Sequence, residues 1–149
     1  IWSIPAPPKA KIFVWRMMSR GLPTVDNLAR RRIVLSDNDA LCVFFCLNWI
    51  SCPAPLPSNI LDHFNFIPGP IQHYEQVVYW RSIWLATTWT VWRTRNRYRF
   101  NDNSFSFERL VNEIQVYSWR WLSSFAKTFR YTFSQWCYNP GLCMSRYIH

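Results

Sequence analysis

Glycine is scarce in this chain: three in 149 residues, at Gly21, Gly69 and Gly141. None sits in a GxGxxG run or beside a phosphate-cradling Lys, which excludes those nucleotide-binding loops. So few glycines also argue against a turn-rich, all-β fold. Acidic residues are scarce as well, eight Asp and Glu against seventeen Lys and Arg. They are Asp26, Asp37, Asp39, Asp62, Glu75, Asp102, Glu108 and Glu113. No adjacent aspartate pair is present to hold the two metals of a polymerase-type site. Asp37-Asn38-Asp39 starts like a calcium loop, but no Gly and no closing Glu follow. Long apolar runs are missing too. Ala40 to Ile50 falls short of the ~18–20 residues a membrane span needs and runs into Pro53, Pro55 and Pro57.

What the chain has in abundance is aromatic and basic. Aromatics make up 19% of residues, with ten Trp, and half of all residues are apolar, which is enough to build a core and excludes a disordered chain. The formal net charge is +9, and fourteen of the seventeen cations are Arg. Arg forks onto phosphate and stacks on rings, so this surface suits nucleic acid; it equally suits weak binding to anything acidic.

The five cysteines are Cys42, Cys46, Cys52, Cys137 and Cys143. The odd number, with no basic-then-apolar leader, predicts free thiols or metal ligands in an intracellular protein, the nucleus included, rather than a secreted disulfide scaffold. Cys42 and Cys46 have the separation of one zinc-ligand pair. A second pair is lacking: Cys52 lies in the Pro-rich stretch and His63 would have to reach back. The alternative is buried thiols packed among Phe44 and Phe45. His63, His73 and His149 are scattered and give no catalytic context, so the chain is expected not to be an enzyme.

Nine of the ten prolines fall in residues 1–70. A helix is expected over about residues 8–20, opened by Pro7-Pro8 and ended by Gly21, with Ala10, Phe13, Val14 and Met17 on one stripe. A second short helix is expected over about 25–32, behind Thr24 as N-cap. Ile33 to Leu35 and Leu41 to Phe45 read as small strands, and Asn59 to Phe66 as a helical turn or two. Pro68-Gly69-Pro70 reads as a linker. Ile71 to Arg99 lacks Pro and Gly and carries two adjacent apolar stripes: Val77, Trp80, Trp84, Val91 and Val78, Leu85, Trp89, Trp92. A further helix is expected over about 106–126, with Phe107, Leu110, Val111, Ile114, Trp121, Leu122 and Phe125 on its inner face. A last one over 131–138 is expected to stop at Pro140-Gly141. The fold class is therefore mainly α: a small helical domain with a short irregular Cys-containing segment and two long C-terminal helices. It divides into residues 1–66 and residues 67–149, packed as one unit.

The order of residues near the N-terminus is more specific. Trp2 is followed by Ala6-Pro7-Pro8-Lys9-Ala10-Lys11-Ile12-Phe13-Val14-Trp15-Arg16. Then come Arg20-Gly21-Leu22-Pro23-Thr24-Val25-Asp26-Asn27-Leu28 and Arg30-Arg31-Arg32-Ile33. This pattern resembles the zinc-binding module that follows the reverse transcriptase of plant LINE-type (non-LTR) retrotransposons. Ile83-Trp84 and Trp92-Arg93 through Phe100-Asn101 resemble the downstream tail of the same elements. So do Trp119-x-Trp121 and Trp136-Cys137 with Pro140-Gly141-Leu142-Cys143.

The resemblance implies a non-catalytic accessory domain that helps hold template RNA or DNA, with zinc as its metal. One departure is visible. The family carries two Cys, then a His and a final Cys; here Cys42 and Cys46 remain where four ligands are expected. The polymerase and ribonuclease H parts, with their catalytic carboxylates, are absent from this chain. On this reading Lys9, Lys11, Arg16, Arg30, Arg31, Arg32, Arg93, Arg95, Arg97 and Arg99 contact phosphate. Trp2 and Trp15 either stack on bases or, as favoured from helical spacing, fill the core. Two other readings stand beside this one: a helical protein-interaction or structural domain, and a decayed retroelement fragment with no selected function. From Ile1 in place of Met, a fragment or trimmed piece of a longer protein is expected.

Overall fold

The computed structural model describes residues 1–19, 49, 60–67, 73–100 and 106–145. The described elements are helices: α1 (Pro8–Met18), α2 (Ile60–Asn65), α3 (Tyr74–Phe100), α4 (Phe107–Phe125), α5 (Phe133–Tyr138) and α6 (Pro140–Ser145). No strand occurs among the described residues. The expected helix over 25–32, the strands at Ile33 to Leu35 and Leu41 to Phe45, and the Pro68-Gly69-Pro70 linker lie outside them.

Each helix boundary follows local chemistry. Pro8 opens α1, where a missing N–H is harmless because no intrahelical acceptor exists there. Ser106 caps α4, its side chain accepting the Arg109 N–H at 3.3 Å. Thr132 and Gln135 form a reciprocal capping box at the start of α5. That helix ends at Asn139, as expected, but Pro140 does not simply stop the chain. Asn139 accepts the Leu142 N–H at 3.0 Å and Pro140 starts α6. Pro at a first helical position is a start signal as much as a stop.

Helix α3 has 27 residues and spans roughly 40 Å. It is the spine against which α1 and α4 pack. Two neighbours explain its wide apolar face. Ser82, Ala86 and Thr90 recur every fourth residue and are fully buried, small enough for close helix approach. Ser82 also donates to the Pro5 carbonyl at 2.9 Å, pinning the N-terminal segment to the spine.

The core has two adjoining parts. In the first, Ile4, Ala10, Phe13 and Val14 meet Trp84, Leu85, Leu110, Ile114 and Trp121. In the second, Trp80, Ile83 and Leu122 meet Phe129, Trp136 and Cys143. Phe125, expected on the inner face of α4, is exposed, and so is Trp92 of α3. Each lies toward the end of its stripe, and Trp92 still touches Phe13 and Trp89 with one side of its ring.

The Trp residues inside the fold are fixed by their ring N–H groups as well as by area. Trp80 donates to the Phe66 carbonyl at 2.6 Å, Trp119 to that of Tyr131 at 2.9 Å, and Trp49 to that of Cys137 at 2.9 Å. Trp136, wholly buried, donates to Ser118 at 3.0 Å. A buried indole without such a partner would be costly.

Candidate nucleic-acid interface

The predicted phosphate-binding cations part company in the structure. Those on α1 face solvent. Lys9 and Arg16 are exposed and make no ion pair among the described residues. Lys11 is half-buried and donates to the Trp2 carbonyl at 2.9 Å. Its ammonium retains donors for a second partner. The first acidic residue in the chain is Asp26, so nothing within α1 neutralises these charges. Lys9 and Lys11 also stand in the first turn of α1, where the helix dipole disfavours cations.

The cations at the far end of α3 face the other way. Arg93 donates to the Tyr117 hydroxyl at 2.6 Å and lies over that ring. Arg97 pairs with Glu113 at 3.4 Å, and Arg109 reaches the same carboxylate oxygen at 3.5 Å. Arg93 and Arg97 bind α3 to α4, while the Arg109 pair lies within α4. The side chains of Arg95 and Arg99 lie outside the described residues, as do Arg30, Arg31 and Arg32. Four exposed cations among the described residues were not singled out from sequence: Arg109, Arg120, Lys127 and Arg130. They are isolated in the chain, and no run or motif marks them.

The aromatic residues of this surface correct the sequence expectation. Trp2 is 61% exposed and Trp15 49% exposed, not core. On α1 the buried positions Ala10, Phe13 and Val14, with half-buried Met17, fill one side. Trp15 is two residues past Phe13, hence about 200° round the helix and directed outward. Ile12, one position before Phe13, is also exposed. Trp92 lies partly open at the margin, with its ring 4.8 Å from Phe13 and stacked on Trp89 at 5.4 Å.

Cys42 and Cys46, the candidate metal ligands, lie outside the described residues. Among the described residues no group of three or more His, Cys, Asp or Glu is placed to hold a metal ion. Cys137 and Cys143 form no disulfide among the described residues, and the Cys143 thiol donates to the Gln135 carbonyl at 3.7 Å. Burial pushes the Cys137 thiol above its ordinary range, which keeps it protonated, the opposite of what a metal ligand requires. The donor set legible in the sequence is therefore two thiolates, half of a closed tetrahedral zinc site. Among the described residues no helix is long and apolar enough to cross a membrane.

Residues 1–48 match the family described as zinc-binding in reverse transcriptase. The match takes in α1, with Trp2, Lys9, Lys11, Trp15 and Arg16, and both Cys42 and Cys46. It covers about a third of the chain. The family it matches is described as a zinc-binding region, not as a catalytic domain. No curated protein and no solved structure matches the chain.

Proposed function

We propose that the chain is a non-catalytic, retroelement-derived domain that holds RNA or DNA by its backbone. The motif that resembles plant LINE-type elements supports that origin. One observation carries the binding role: within the matched segment, α1 presents Lys9 and Arg16 to solvent, and no carboxylate among the described residues pairs them. Such cations release counterions from a phosphate chain, so binding is sequence-independent and steeply salt-dependent. Arg93 and Arg97 are spent on the α3–α4 contact, which moves the interface from the Arg-rich helix end to α1. The two thiols Cys42 and Cys46 would contribute to holding zinc if the remaining ligands come from elsewhere.

The test is an anisotropy titration of a labelled RNA oligonucleotide at 50 and 200 mM salt (about the range over which such contacts weaken sharply). The expected result is weaker binding at the higher salt. Lys9→Gln with Arg16→Gln should weaken binding further and flatten the salt dependence. No binding, or binding indifferent to salt, would falsify the reading.

A further inference from the structure

We infer that the α1 face takes single-stranded nucleic acid, with bases stacked on Trp15 and Trp2 between the phosphate-contacting cations. This rests on the backbone-binding role just proposed and names its substrate class.

The arrangement comes from helix geometry. Trp15 is one turn beyond Lys11, so both lie on the same flank of α1. The Lys11 ammonium holds the Trp2 backbone carbonyl at 2.9 Å, which anchors the residue that carries the second exposed indole at that flank. On the opposite flank Lys9 and Arg16 stand four and three residues from Phe13, whose ring contacts Trp92 at 4.8 Å. Exposed Ile12 lies between the flanks. Across the face, then, ring and cation alternate: Trp92, then Arg16 and Lys9, then Trp15, Lys11 and Trp2.

Neither Trp2 nor Trp15 has a ring contact or ring N–H partner among the described residues. Trp49, Trp80, Trp119 and Trp136, by contrast, are committed to hydrogen bonds inside the fold. Two large rings held in water have a base face as their natural complement, because stacking is indifferent to base identity. In a duplex those faces are covered by neighbouring pairs, so only an unpaired strand can use the rings. The adjacent cations and the absence of acid before Asp26 match a polyanion, not an acidic-and-apolar mixed surface.

The experiment compares three labelled ligands of equal length on the intact chain: single-stranded RNA, duplex RNA, and an abasic strand with the same phosphates and no bases. The single strand is expected to bind roughly ten-fold or more tightly than the abasic strand. Trp15→Ala and Trp2→Ala should each remove about ten-fold of single-strand affinity and leave abasic binding and the salt slope unchanged. Trp15→Phe should restore much of it, because the ring face is kept. The abasic comparison needs no substitution and so stands even where a variant folds poorly. Equal affinity for all three ligands, with the usual salt dependence, overturns the stacking and leaves the backbone reading intact. Loss of salt-dependent binding to every ligand overturns both, and a duplex preference overturns the stacking alone.

Discussion

The Arg93 guanidinium donates a 2.6 Å hydrogen bond to the Tyr117 hydroxyl while its carbon lies 5.6 Å from the centre of the same ring. One side chain thus makes a polar and a cation–π contact to one partner, across the α3–α4 seam. The consequence is that Arg93 serves the fold. Arg93→Ala should lower the stability to urea by about 1 kcal/mol and change RNA affinity less than about two-fold. Tyr117→Phe should cost less, since the ring face remains. A double-mutant cycle on unfolding free energies reads the coupling directly. A large affinity loss with unchanged stability would place Arg93 at the interface instead.

Among the described residues, the Ser118 hydroxyl accepts the ring N–H of fully buried Trp136. Ser118→Ala leaves that donor unpaired in the core, with a loss of about 1–3 kcal/mol expected in chemical denaturation. Ser118→Ala with Trp136→Phe should recover part of the loss, because the orphaned donor goes with the indole.

Thr90 is buried and its hydroxyl has no hydrogen-bond partner among the described residues. Thr90→Val keeps the shape and removes the unpaired group. It should stabilise the chain by about 1 kcal/mol, or roughly 3 °C in Tm. A drop in Tm would mean that the hydroxyl is paired in solution.

Zinc is the fourth test. With Cys42 and Cys46 as the only legible thiolate pair, a purified chain should retain well under one zinc after dialysis against a mild chelator, by elemental analysis. Cys42→Ser should abolish what remains. Full retention of zinc in that variant would assign the site to other ligands.

The helices were legible because local signals agree along most of the chain. Pro8, Ser106 and Thr132 mark starts, and the stripes of Ala10–Val14 and Leu110–Ile114 point inward. Pro140 misled, since a proline at a first helical turn and a proline after a helix end look alike in sequence. Trp15 misled because ten tryptophans invite a core assignment; its angular distance from Phe13 was the signal that counted.

The sequence by itself determined the helical class, the positive charge, the position of α1 and the family pattern over its residues. These depend on spacing and composition, which neighbours in the chain decide. Only the tertiary structure decided which cations are free. Lys9 and Arg16 are exposed, with no described element packed over their side of α1, whereas Arg93 and Arg97 meet Tyr117 and Glu113 from a helix some twenty residues away. Pairing of that kind is a property of two surfaces brought together, and no single segment carries it.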